Sequence, residues 1–278
     1  MPRLTGPMQA DAENEFERIR WLVRRRRGQD LAHYRRSYVQ RRLLARMRAT
    51  RASGAAAYAR LLSRDPGEAD RLVAALSTKV TQFYRNPSFY ALLQSRVVPE
   101  VLAAASPGRT VRIWSAGCAT GEEAWSLASI VHLSAAGAPG VPVRVVGTDV
   151  DRQAIATAKR GVYPAGALRS VPTEIRARCF NAIDDGRLAA PSPALAAVCT
   201  FRVESLFART AAGAFDLILC RNVLIYFEAD RQQQILARLA TALRPGGYLA
   251  LGRVERISGD ARALYEVVHV RERVYRRL

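Results

Sequence analysis

No uncharged apolar run among these 278 residues approaches the roughly 18 residues that a membrane-spanning helix needs, which excludes a helical span. No secretory leader is expected either. Arg3 stands near the start, but Asp11, Glu13, Glu15 and Glu17 occupy the place of an apolar segment, so the expected location is the cytoplasm. Cysteine is scarce and shows no paired spacing. Cys118, Cys179, Cys199 and Cys220 form no CxxC, and His33, His132 and His269 are scattered, which argues against zinc and for free, buried thiols. Acidic residues and lysine are both short: 24 Asp and Glu face 43 Lys and Arg, only two of them lysine, for a net charge of +19. Such a surface attracts acidic partners and speeds encounter with them; nucleic acid and an acidic protein segment both qualify. Apolar residues, in contrast, are plentiful at 49%. The chain is long enough for one large domain or two smaller ones, each with a core.

The first part reads as helices. Residues 13–27 carry Phe16, Ile19, Leu22 and Val23 at helical spacing and stop at Gly28. Asp30 is a candidate N-cap for a helix over 30–49, with Leu31, Tyr34, Tyr38 and Ala45 on one face. Steps of seven and four residues bring Arg35, Arg42 and Arg46 together on a neighbouring strip. Further helices are expected over 54–63 and, after the Asp65-Pro66-Gly67 turn, over 68–76. From about residue 110 the pattern alternates. VRIWSA, VRVVGTDV, FDLILCRN and YLALGR read as strands, and 122–134, 151–159 and 229–243 as helices. That alternation predicts an α/β fold with a mainly parallel, doubly wound sheet. Residues 173–203, with Asp185-Gly186 and Pro191-Ser192-Pro193, read as a small antiparallel insertion.

In such folds ligands bind beyond the carboxyl ends of the strands, at the switch point. The first strand ends in Ser115-Ala116-Gly117-Cys118-Ala119-Thr120-Gly121-Glu122-Glu123. Its glycines permit a tight turn and close backbone approach. The motif is not GxGxxG, and two acids stand where a pyrophosphate has to rest, which disfavours a dinucleotide. A cationic nucleoside fits better. S-adenosyl-L-methionine carries an ammonium and a sulfonium, and Asp149 at the end of the second strand suits its ribose hydroxyls. The same two acids are also what the dipole of any helix N-terminus favours.

Several segments together resemble the chemotaxis receptor methyltransferase family (CheR type). They are Ser77-Thr78-Lys79-Val80-Thr81-Gln82-Phe83-Tyr84-Arg85-Asn86-Pro87, WSAGCATGEEAWSLA, GTDVDRQAIATAKRGVY and CRNVLIYFEADRQQQILARLATALRPGGYLALG, in family order over most of residues 15–255. The resemblance implies a class I (Rossmann-like) methyltransferase domain, an N-terminal helical domain and a small antiparallel β insertion. Helical receptor docking with a linker is then expected over 1–105 and the methyltransferase over 106–278, with the β-subdomain at 173–203. It implies that Thr81 and Arg85 reach the cofactor, Arg85 pairing its carboxylate. It further implies that one or both of Glu122 and Glu123 contact the amino-acid end, Asp149 holds the ribose, and Ser205 and Leu206 flank the adenine. Arg221 and Asn222 then line the site, and Tyr226 stands beside the reacting groups. Two positions depart from the family pattern. Lys79 replaces a usual Asn, where a lysine either repels the sulfonium or pairs the cofactor carboxylate. Gly252-Arg253-Val254-Glu255 replaces Gly-His-Ser-Glu.

The implied reaction is methyl esterification of glutamate side chains on acidic chemoreceptor helices, in chemosensory adaptation. The expected protein is a monomer, peripheral to receptor arrays, with Arg35, Arg42 and Arg46 docking the receptor. Two rival readings stand beside this one. A nucleic-acid methyltransferase suits the charge, but Arg221-Asn222-Val223-Leu224 lacks an Asn-Pro-Pro-aromatic motif and no aromatic stacking platform stands out, so no stable nucleic acid is expected. A divergent, non-catalytic cofactor-binding scaffold is the other.

Overall fold

A computed structural model describes residues 7–77, 81–106, 108–137, 140–208 and 211–278. Its internal contacts divide the chain into two units: Met1–Thr78 with Tyr226–Arg231, and Lys79–Ile225 with Gln232–Leu278. The expected boundary near 105 differs from this division. Residues 87–103 pack with the second unit, as α5 (Pro87–Leu92) and α6 (Val98–Ala103), joined by a π-turn over Leu93–Val97. Pro99 lacks an N–H, and the wider turn falls just before it.

The first unit contains α1 (Pro7–Arg27), α2 (Arg36–Ala49), α3 (Ala55–Arg64) and α4 (Pro66–Leu76). Each turns a short apolar stripe inward: Ile19, Leu22 and Val23; Tyr38, Val39 and Leu43; Tyr58 and Leu62; Leu72, Val73 and Leu76. Asp65 caps α4 by accepting the Gly67 N–H at 2.8 Å, with Pro66 in the first turn. The single helix expected over 30–49 is broken. Asp30 accepts the Ala32 N–H at 2.9 Å and caps only a 3-10 turn, Leu31–His33. Tyr34 then leaves the helical path to bridge Phe227, and Arg35 donates its N–H to the Tyr226 carbonyl at 2.9 Å. Ala45, expected on the apolar face, is exposed.

Beneath the helices lies a buried ion cluster. The Glu68 carboxylate, 0% exposed, takes both arms of the Arg46 guanidinium at 2.9 and 2.8 Å. It also accepts from Arg71 at 2.7 Å and from the Tyr58 hydroxyl at 2.7 Å. Burial alone raises the Glu68 pKa, but Arg46, Arg71 and Tyr58 outweigh it and hold the carboxyl below its ordinary value.

The second unit is built on seven strands: β1 (Val111–Ala116), β2 (Val143–Asp149), β6 (Cys199–Val203), β7 (Phe215–Cys220), β8 (Leu243–Leu251), β9 (Tyr265–His269) and β10 (Val274–Arg277). They lie in the order β6-β2-β1-β7-β8-β10-β9. The first five are parallel and β10 is antiparallel to both neighbours. Crossovers run through α7 (Glu122–Ala135), α8 (Arg152–Arg160) and a later helix, Ala229–Ala242. β7 is buried along its whole length and β1 and β2 nearly so, as strands covered on both faces must be. A second sheet of β3 (Tyr163–Pro164), β5 (Leu188–Pro191) and β4 (Phe180–Ile183) is antiparallel, the small insertion expected. It begins earlier than 173. Residues 199–203, assigned to it from the sequence, pair instead with β2 as an edge of the main sheet. The four cysteines are free and buried.

Candidate functional site

From β1 the chain crosses to β2 and later β6 on one side, then returns to β7 and β8 on the other. The carboxyl end of β1 is therefore the switch point, where a crevice opens in a doubly wound sheet. The bend that follows β1 is shaped by backbone requirements. Gly117 and Gly121 have φ of +84° and +100°. A Cβ on Gly117 lies 2.5 Å from a Val223 methyl, and one on Gly121 lies 2.8 Å from both Ala158 Cβ and the Tyr163 hydroxyl. Only glycine satisfies both conditions at either position.

Asp149, 7% exposed, ties this bend to the end of β2. One carboxylate oxygen accepts the Ala119 N–H at 3.0 Å and the other the Asp151 N–H at 2.9 Å. Its carbonyl accepts the Glu204 N–H at 2.9 Å, which draws in the segment after β6. Ser205 there accepts the Phe207 N–H at 3.2 Å through its hydroxyl. Leu206 lines a cavity of about 260 Å³ together with Trp114, Ala208 and Leu239.

Two further acids open α7. Glu122 accepts from the Thr120 hydroxyl at 2.7 Å and is also hydrogen-bonded by the Thr81 side chain. Glu123 accepts from the Ser115 hydroxyl at 2.9 Å and from the Arg221 guanidinium at 3.4 Å. Burial drives both carboxyls above their ordinary value, more than Thr120 and Thr81 in one case, and Arg221 and Ser115 in the other, bring them back. Arg221 in turn donates to the Asn86 side-chain carbonyl at 2.8 Å and lies 4.0 Å over the Phe89 ring. It also reaches the Arg85 carbonyl at 3.5 Å.

Such a donor set fits an amino-acid nucleoside. Burial penalises the charge on Glu122 and Glu123, and an incoming ammonium relieves that penalty. Each carboxylate oxygen of Asp149 has capacity beyond a single N–H, which suits a ribose diol. The glycine bend keeps side chains out of the ligand's path.

The sequence-expected residues Thr81, Arg85, Glu122, Glu123, Asp149, Ser205, Leu206, Arg221 and Asn222 all belong to the second unit. Thr81 meets Glu122, Arg221 meets Glu123, and the Ser205 segment adjoins Asp149. Lys79 lies outside the described residues. Tyr226 groups with the first unit, its ring 4.8 Å from that of Tyr38. Among the expected docking arginines, Arg42 stacks 5.0 Å from the Tyr38 ring, and Arg35 precedes α2 and donates to the Phe227 carbonyl at 3.3 Å. Arg46 is engaged by Glu68 inside the helical unit at 2.8 Å, with about a fifth of its side chain exposed.

Three residues stand in the sequence motifs without an expected role there: Asn86, Ser115 and Glu255. Glu255, 4% exposed, accepts backbone N–H groups from Asn222, Val223, Leu224 and Gly252 at 2.7, 2.8, 2.8 and 2.6 Å. The signal was present in the Gly-x-x-Glu spacing after β8, without any indication of what the acid held.

Comparisons with known proteins find matches to both parts of the chain. Residues 79–274 match the family described as CheR methyltransferase, SAM binding domain, and residues 14–77 match CheR methyltransferase, all-alpha domain. Chemotaxis protein methyltransferase 2 of Pseudomonas aeruginosa is 34% identical over 245 residues, 87% of this chain and 86% of that protein. A probable chemotaxis protein methyltransferase of Rhizobium etli is 32% identical over 239 residues, 84% of this chain and 89% of that one. A 104.1 kDa protein of Rhodobacter capsulatus is 32% identical over 246 residues, 88% of this chain but 26% of the longer protein.

Proposed function

The chain belongs to the CheR family of S-adenosylmethionine-dependent methyltransferases, and from that premise we propose that it methylates glutamate side chains on the cytoplasmic helices of a chemoreceptor. The observation that carries this reading is the trio of carboxylates gathered around the glycine bend at the switch point: buried Asp149 and the half-buried Glu122 and Glu123. Glu122 and Glu123 receive the cofactor's amino-acid end and Asp149 its ribose. Arg85, Ser205, Leu206, Arg221 and Asn222 complete the enclosure. Bound S-adenosylmethionine supplies an electrophilic methyl on a sulfonium, and the products are a glutamate methyl ester and S-adenosylhomocysteine.

The acceptor glutamate has a reference pKa of about 4.3 and is ionised at neutral pH, so no general base is required. Carboxylate and sulfonium charges cancel as the reaction proceeds. A full cation held against the attacking oxygen therefore stabilises the ground state more than the transition state. Alignment and exclusion of water are what the protein contributes. Tyr226 orients the acceptor carboxylate through its phenol without neutralising it. The helical unit docks the receptor through Arg35 and Arg42.

The test incubates the protein with radiolabelled methyl donor and a cytoplasmic receptor fragment. Base-labile label, released as methanol, is the expected result. Tyr226→Phe retains cofactor binding and loses at least about tenfold in turnover, and Arg42→Glu weakens receptor methylation at unchanged cofactor affinity. Label resistant to base, or full turnover by Tyr226→Phe, refutes the corresponding assignment.

A further inference from the structure

One carboxylate outside the cofactor-facing set organises two of the loops at the crevice. Glu255 sits just after β8 and accepts four backbone N–H groups, three from the loop after β7 and one from Gly252. Four charge-assisted bonds on one buried acid amount to a clamp between the carboxyl ends of neighbouring parallel strands. The clamped loop needs it, because Asn222 is held at φ +59°, a left-handed conformation that L residues adopt at a cost. Nor is there room for an alternative at the fourth donor. A Cβ on Gly252 lies 2.7 Å from both the Asn222 side-chain nitrogen and a Glu255 oxygen.

The clamp reaches the nucleoside bend through one side chain. Val223, whose N–H binds Glu255 at 2.8 Å, presses its methyl against Gly117, where an added Cβ meets it at 2.5 Å. On the other flank of the same loop, Arg221 binds Glu123. We infer that Glu255 is a positioning residue for methyl transfer: it fixes the 221–224 loop so that Val223 backs the glycine bend and Arg221 meets Glu123. It touches neither donor nor acceptor. The inference deepens the proposed function but reads out on the cofactor alone.

Glu255→Gln keeps the shape and replaces one acceptor oxygen by an NH₂ that faces backbone N–H groups. Two measurements follow, neither requiring a receptor: hydrogen exchange at the amides of 222–224, and calorimetric affinity for S-adenosylhomocysteine. Exchange faster by about tenfold or more and affinity weaker by about tenfold are expected, given the strength of bonds to charged acceptors. Unchanged exchange and affinity in the folded variant overturn the inference. Val223→Ala leaves the clamp intact and removes only its link to Gly117. It weakens affinity severalfold with exchange at 222–224 unaltered, and wild-type affinity in this variant also overturns the inference. Glu272→Gln, altering a neighbouring acid outside the site, controls for general destabilisation and retains wild-type affinity. Failure of glutamate methylation with intact cofactor binding affects the proposed substrate and leaves these results readable.

Discussion

At the scale of single residues, Arg253 shows how a departure from a family pattern is absorbed. Its guanidinium binds Glu272 at 2.7 and 3.2 Å and the Ser88 hydroxyl at 2.7 Å. The adjoining Glu255 keeps the four-bond clamp, so the changed position carries local structure. Gly117 tolerates no side chain without a shift of Val223. Gly117→Ala adds a left-handed strain of about 1–2 kcal/mol to the overlap with Val223, and calorimetry should find S-adenosylhomocysteine bound at least about tenfold more weakly. Glu122 and Glu123 set a pH dependence with a definite sign. Burial first, only partly offset by Thr120, Thr81, Arg221 and Ser115, places their titration above the ordinary carboxylate range. In the proposed arrangement it is the ionised forms that hold the ligand ammonium. Affinity is therefore full well above that raised range and declines as pH falls through it, earlier than an exposed carboxylate allows. A titration of affinity from neutral to acidic pH checks this, and Glu122→Gln with Glu123→Gln should flatten it.

At the scale of elements, the helical unit depends on the Glu68 cluster. Glu68→Ala strands Arg46 and Tyr58 around an empty acceptor and costs about 3–5 kcal/mol, read as a lowered thermal midpoint of that unit. The folded pKa of Glu68 is depressed below 4.5, so its contribution is fully present above that value and is lost as pH falls through the lower folded pKa. Arg46 looked like a docking residue in the sequence because helical spacing aligns it with Arg35 and Arg42. Spacing does not reveal that Glu68, on another helix, lies opposite. The strands β1, β2, β7 and β8 were legible because buried parallel strands read as apolar runs bounded by turns. β6, with exposed Thr200, Arg202 and Val203, read as part of the insertion, and β9 and β10 gave no run distinct enough to read. The break at 34–35 was hidden because Tyr34 leaves the helix for a long-range bridge to Phe227.

At the scale of the whole molecule, the family was legible because its motifs fall in order along most of the chain, and the bend with Asp149 was legible because both close parallel strands. Glu255 was not, since the four N–H groups it holds come together only when β7 and β8 pair. The net charge of +19 belongs to this scale as well. Raising ionic strength from about 0.01 M to 0.1 M shortens the screening length from about 30 to 10 Å. Receptor methylation at low substrate should slow severalfold over that interval while cofactor affinity changes little, a comparison that separates encounter from chemistry. The identity of the methylated group is read directly by tandem mass spectrometry of a receptor fragment after incubation with S-adenosylmethionine and the wild-type protein. One added methyl on glutamate side chains, removed by mild base and absent with Asp149→Ala, is the result expected. A fragment that stays unmodified while nucleic acid in the same mixture acquires the methyl contradicts it.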